Sequence, residues 1–205
     1  MTMKERMIGG MLYRVNEELY EELLRARKLQ RLFNSTTEEQ ADYRVQLLKE
    51  LFGSTGEEIH IEPTFRCDYG SNISVGNHFY ANFDCVILDV CPVTIGNNVM
   101  LGPQVGIYTP VHPLDAGVRS TLVEAGRPIE IGDDVWIGGH AVINGGVTIG
   151  SGTVIGSGSV VTKSIPSGVL AVGNPCRVLR ELTQEDTAYW RRQKEEFDLA
   201  VGETM

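Results

Sequence analysis

His112 closes the string Tyr108-Thr109-Pro110-Val111-His112-Pro113, in a stretch built otherwise of aliphatic and small residues. An imidazole in such surroundings is costly unless it is hydrogen-bonded or exposed. Neutral imidazole accepts a proton near neutral pH, which is what activation of a hydroxyl nucleophile requires. By itself one histidine also reads as an ordinary surface residue. Three other histidines are present: His60, His78 and His140. His60 precedes the regular part of the chain, and His78 and His140 fall where corners are expected, which leaves His140 as the alternative base. A second group of chemistry-bearing residues comes late. Lys163 follows Thr162, and Arg177 and Arg180 follow the turn Gly173-Asn174-Pro175. Three cations near one end suit a polyanion such as the pyrophosphate and 3′-phosphate of coenzyme A. A solvated charged surface is the competing reading on composition alone.

The elements that must position these residues follow from a repeat. Ile131, Ile137, Ile143, Ile149, Ile155 and Val161 recur every six residues, and a second register two residues upstream holds Ile129, Val135, Ala141, Val147, Thr153 and Ser159. The first five of the leading positions are followed by Gly132, Gly138, Asn144, Gly150 and Gly156, small or turn-prone residues expected to relieve crowding at a corner. The rule also runs through Ile95, Leu101 and Ile107, and before that, shifted by two, through Val75, Ala81, Ile87 and Val93. The shift predicts a two-residue insertion or bulge around Cys91–Thr94. Period six fits neither a helix nor a long strand. It fits short strands joined by corners, three sides making an 18-residue triangular coil, with coils stacked to bury an aliphatic column. Each inward Ile or Val contributes roughly 1.5–3 kcal/mol on full burial.

The hexads stop at His112 and resume at Ile129, so residues 113–128 are an extruded loop of the kind that carries binding sites on rigid scaffolds. The division of the chain is therefore residues 1–56 as an N-terminal helical segment, 57–180 as the coil with its loop, and 181–205 as a C-terminal helix and tail. Asn16 to about Asn34 places Leu19, Leu23, Ala26 and Phe33 on one side of a helix. Thr37 with Gln40 makes a capping box ahead of a second stripe of Ala41, Val45, Leu48 and Phe52 ending at Gly53. Thr183 with Asp186 opens a short helix running past Trp190 to Phe197. All three helices are expected to cap the ends of the stack.

Composition narrows the partners. The 205 residues carry a net charge of −9, which argues against nucleic acid or an anionic membrane. Residues 1–10 include Lys4, Glu5 and Arg6 and no apolar core of a secretory signal. No run approaches the roughly 20 apolar residues of a spanning helix. Cys67, Cys85, Cys91 and Cys176 form no CxxC pair and sit among aliphatics, which predicts buried free thiols, a reducing compartment and a cytoplasmic protein.

The strings FRCDYGSNI (65–73), FYANFDCVILDVCPVTIGNNVML (79–101), IYTPVHPLD (107–115), VWIGGHAVI (135–143), SVVTKSIPSGV (159–169) and GNPCRVLREL (173–182) make the chain resemble the maltose and galactoside O-acetyltransferases, a branch of the hexapeptide-repeat acyltransferases. GGMLYRVNEEL near the start resembles the helical segment that opens this family. The resemblance implies a mainly β fold, a left-handed parallel β-helix, assembled as a homotrimer with active sites between subunits. It implies acetyl-CoA as co-substrate, no metal, no covalent acyl-enzyme, and His112 as the base that deprotonates a sugar hydroxyl. It implies acceptor contacts from Tyr80, Asn82, Asp68 and Asp89. For coenzyme contacts it implies Gly139, Ser157, Thr162, Lys163, Arg177 and Arg180, with Trp136 flanking the cleft.

Two departures stand out. Val90 replaces a second aspartate of the galactoside branch, and the family's acceptor-facing aspartate near the N-terminus has only Asn16 and Glu17 as nearest candidates. Both count against galactoside specificity, and the strings CVILDVCP (85–92) and HPLD (112–115) resemble the maltose branch more than the galactoside branch, which implies a maltose or glucose type of acceptor. A galactoside or another hydroxyl acceptor, such as an antibiotic or serine, is the alternative enzyme reading, and a trimeric scaffold is the non-enzymatic one. A zinc hydratase of similar coil architecture needs three converging histidines. Only His78, His112 and His140 lie in the coils, and no H-x₄-H pair occurs.

Overall fold

A computed structural model describes residues 1–202. The centre of the chain is a parallel β-solenoid of triangular section, whose three faces are sheets of five, seven and five strands. One face, here called the first, stacks strands 59–61, 79–81, 100–101, 136–137, 154–155 and 169–172, and the antiparallel strand Arg177–Glu181 closes it. The second stacks 66–67, 86–88, 106–108, 142–144 and 160–161. The third stacks 54–55, 73–75, 93–95, 129–131 and 148–149. The column predicted from the hexads is present: Leu101, Ile107, Ile131, Ile137, Ile143, Ile149, Ile155 and Val161 are all buried in one core.

The spacing between inward residues is six around the first edge (Ala81 to Ile87, Leu101 to Ile107, Ile137 to Ile143, Ile155 to Val161). It is also six from the third face back to the first (Val75 to Ala81, Ile131 to Ile137, Ile149 to Ile155). Every departure falls on the edge between the second and third faces. There the step is eight from Cys67 to Val75 and from Ile87 to Ile95, 24 from Ile107 to Ile131, six from Ile143 to Ile149 and four from Val161 to Ile165. The predicted bulge is thus one of two on successive coils, and the long loop occupies the same corner of the next coil. We call this the irregular edge.

The glycines after the inward residues relieve crowding, as expected, and the crowding comes from the next coil. A Cβ on Gly138 would lie 2.6 Å from the Ser157 backbone nitrogen of the next coil, so close stacking rather than torsion requires glycine there. The left-handed residue of each corner comes two positions later, where Asn98, Gln104, Asp134 and His140 serve as well as Gly152 or Gly158.

Helix α1 (Met3–Ile8), which no pattern announced, precedes α2 (Glu17–Asn34). Asn16 caps α2 by accepting from the Leu19 N–H at 3.1 Å. The Thr37–Gln40 capping box opens a short 3₁₀ turn that runs into α3 (Ala41–Leu51). The buried stripe of α3 is Leu47, Leu48 and Leu51, continued by Phe52; Ala41 is exposed and Val45 only partly buried, because the box displaces the helix start toward solvent. Gln30 and Asn34 exchange hydrogen bonds with the Cys67 and Phe65 backbones, so α2 and α3 do cap the first coil. At the other end the expectation fails. A four-residue helix, α4 (Ala116–Arg119), lies in the loop, and α5 (Gln184–Val201) buries only Asp198, bound by Lys194. The last coil is closed instead by the 177–181 strand and Cys176. All four cysteines are free and buried. Among the described residues no helix is long and apolar enough to cross a membrane.

Ile143 has no exposed surface, and we expect Ile143→Ala to lose about 2–5 kcal/mol in urea unfolding, since a rigid stacked column collapses poorly onto a cavity. Gly138→Ala should destabilise the fold through the clash with Ser157, whereas Gly158→Ala meets no atom within 4 Å and is strained only by its φ of 71°. Thermal melts of the two variants separate stacking from torsion.

Candidate active site

The extra residues of the irregular edge make its corners deep enough to hold a pocket of about 250 Å³, lined by Arg27, Asp68, Tyr69, Val90, His112 and Glu124 among others. The corners are supported from behind by Asp89. Its Oδ1 accepts the N–H groups of Asp68 and Tyr69 at 3.0 and 2.9 Å, and its Oδ2 accepts that of Asn72 at 3.2 Å. Asp89 is fully buried, so its carboxylate stands behind the pocket wall and holds Asp68 rather than facing a ligand. Burial pushes its carboxyl up to about 7, against the N–H groups of Tyr69, Asn72 and Asp68 that favour the anion. On the next coil Thr109 does the same work, accepting from the Cys91 N–H and donating to the Leu88 carbonyl.

Asp68 itself opens into the pocket. Burial, and next the Glu124 charge, raise its carboxyl to about 6, while Arg27 from α2 pulls the other way. Arg27 is an exposed residue of α2 whose side chain lies at the pocket rim.

His112 ends one limb of the loop. Pro110 and Val111 pair antiparallel with Gly126 and Ala125, so the same register sets His112 opposite Glu124. The His112 Nε2 and Glu124 Oε2 are 3.8 Å apart, an ion pair when the ring is protonated. Glu124 is the residue sequence reasoning missed. It lies in the interrupted stretch where no period exists, and only loop pairing brings it to the histidine. The ring also faces a second hollow beside Arg119 and Leu122, so His112 stands in a wall between two spaces.

The other candidates divide between edges. Lys163, with Thr162, occupies the irregular edge two coils beyond His112, about 10 Å along the stack at ~4.8 Å per coil. Asn82, Gly139, Ser157 and the Gly173 turn stack along the edge between the first and second faces, where the Gly158 N–H donates to the Gly139 carbonyl. Tyr80 and Trp136 form one outward row with Met100 on the first face. Arg177 begins the closing strand beside this edge. Arg180 lies on the first face, its guanidinium held by both Asp186 oxygens at 2.6 and 2.8 Å. Within one chain the second face separates these residues from His112 and Lys163. His140 sits on the edge of Gly139, apart from the pocket, while His60 and His78 are each beside a glutamate, Glu62 and Glu58. Among the described residues no group of three metal-binding side chains is assembled.

Residues 6–56 match the maltose acetyltransferase hexapeptide capping motif, and residues 128–163 match the six-repeat bacterial transferase hexapeptide pattern. The fold superposes on a maltose O-acetyltransferase from Clostridium difficile with a TM-score of 0.88 and 52% identity, covering 89% of this chain and 98% of that one. It superposes on a galactoside acetyltransferase in complex with coenzyme A with a TM-score of 0.89 and 45% identity, covering 91% and 94%. The galactoside O-acetyltransferase of Escherichia coli is 44% identical over 93% of this chain and 94% of its own length. A solenoid with these relatives is an acetyl-CoA-dependent O-acetyltransferase, and the chain belongs to the maltose and galactoside O-acetyltransferase family.

Proposed function

We propose that the protein transfers the acetyl group of acetyl-CoA to a hydroxyl of a sugar of the maltose or glucose type, with His112 as general base. The observation that carries this is the placement of His112 and Glu124 on the wall of a pocket that also holds Asp68. His112 takes the hydroxyl proton as the sugar oxygen attacks the thioester carbonyl. The imidazolium that forms is stabilised by the Glu124 carboxylate, which gains most from the pairing when that charge appears. As the tetrahedral oxyanion collapses, the C–S bond breaks and the imidazolium returns its proton to the coenzyme thiolate. Backbone N–H groups hold the oxyanion.

Asp68 accepts a hydrogen bond from the sugar. Val90, buried in the pocket wall where the galactoside branch has an aspartate, offers no polar partner, which favours a gluco-configured acceptor over a galactoside. We assign the coenzyme to Gly139, Ser157, Thr162, Lys163, Arg177 and Arg180 beside Trp136, and further acceptor contacts to Tyr80 and Asn82. These residues lie on two edges of one prism, so we place the complete site between copies, where the Gly139 edge of one meets the His112 edge of the next in a homotrimer. The four buried thiols fit a reducing cytoplasm, where acetyl-CoA is supplied.

His112→Ala should lower kcat for thiol release with maltose or glucose by about 10²–10⁴-fold. Wild-type turnover in that variant would remove the base assignment, and a panel including a galactoside and serine ranks the acceptors. Asp68 contributes acceptor binding as a carboxylate, which is present above its raised value and lost as pH falls through about 6. The acceptor KM should therefore rise about 3–10-fold between pH 7 and pH 5, the loss of one hydrogen bond to a charged group. Asp68→Asn should flatten that limb, and Arg27→Met should move it to higher pH.

A further inference from the structure

The N-terminal segment pairs with the loop strand of the irregular edge through Tyr13. Tyr13, between α1 and α2, forms an isolated antiparallel bridge with Glu124: its N–H donates to the Glu124 carbonyl at 2.9 Å and its carbonyl accepts the Glu124 N–H at 3.2 Å. Tyr13 thereby extends the small ladder that already sets Glu124 opposite His112. The Tyr13 hydroxyl donates to Glu124 Oε1 at 2.6 Å, leaving Oε2 toward the imidazole. That is the hydrogen bond made by the Glu124 side chain among the described residues. Burial above all, then the Glu124 contact, pushes the phenol far above its ordinary range, so it remains a donor at any working pH.

What holds Tyr13 there is a core separate from the solenoid column. Met7, Tyr13, Leu19, Tyr69 and Val90 form a second buried cluster, and the Cys91 thiol donates to the Met7 carbonyl at 3.1 Å. The effect of this cluster is to fix one hydroxyl against one carboxylate.

We propose that Tyr13 is a positioning residue that holds the Glu124 carboxylate in the rotamer facing His112, making the N-terminal segment part of the catalytic apparatus. The inference rests on His112 acting as the base. Without the hydroxyl, a side chain that is a quarter exposed is free to turn into solvent, and the charge that stabilises the imidazolium leaves with it.

A double-mutant cycle on the full-length protein tests it, using kcat for thiol release with acetyl-CoA and maltose. Tyr13→Phe keeps the ring and the packing. It should lower kcat about tenfold with the KM for acetyl-CoA unchanged, and its effect should shrink below about twofold in the Glu124→Gln background, because coupled residues are non-additive. Leu47→Ala, which loosens the packing of α3 in the main core away from the Tyr13 cluster, should keep kcat within about twofold of wild type. The proposal is overturned if Tyr13→Phe retains full kcat, if the two losses multiply independently, or if Leu47→Ala falls as far as Tyr13→Phe. His112→Ala keeps the two readings distinct: its failure to lose turnover sinks the base, whereas its collapse alongside an unaffected Tyr13→Phe sinks only the positioning role.

Discussion

Every coil must return its inward residues to the same three columns, and the rest of the structure follows from that constraint. Side chains such as Ile107, Ile143 and Val161 stack directly above one another, and a slip of one residue would turn each of them to solvent. The main-chain ladder between coils is equally unforgiving, since a shifted strand leaves buried N–H and carbonyl groups unpaired. Extra residues can therefore enter only at corners. This protein admits them at one corner, on three successive coils, and leaves the other two edges at six throughout.

That concentration explains why the pocket is where it is. At a corner of six residues the backbone runs directly from one sheet to the next, and the following coil lies on it with no space between, as the Gly138–Ser157 approach shows. Two added residues lift Asp68 away from the stack and leave behind it a cavity that Asp89 fills with a carboxylate bonded to three amides. The 18 added residues of the third coil form two limbs that pair with each other, bringing His112 and Glu124 face to face. The site is thus a local relaxation of the repeat, while the repeat supplies the rigidity that holds side chains to within the tolerance catalysis needs.

The electrostatics of the pocket follow from crowding acids into it. Asp68 and Glu124 share the lining of this pocket with the Arg27 guanidinium, and Asp89 lies buried behind it. Burial first, and then the Glu124 charge, raises Asp68 toward neutrality. In the proposed mechanism the Glu124 carboxylate is the acid that stands beside the imidazolium.

The solenoid was legible in the sequence because its signal is local: an inward aliphatic every six residues is imposed by the chain's own next turn, and Ile131 to Val161 display it without reference to anything distant. The α2 cap, the loop after His112 and the free cysteines were legible for the same reason. The bulge near Cys91 could be seen as a phase shift, but its twin between Cys67 and Ile73 had too few hexads before it to show one. The course of α5 was not legible either, since a capping box starts a helix without saying what it will pack against. Glu124 and Tyr13 left no trace at all. They are 111 residues apart, meet through a single backbone bridge and one hydroxyl, and belong to no period. Sequence alone determined the rod and the histidine at the break in its repeat. Only the tertiary structure decided which carboxylate stands beside that histidine and what holds it there, because pairing between distant, aperiodic segments is settled by packing and not by any pattern the chain carries along itself.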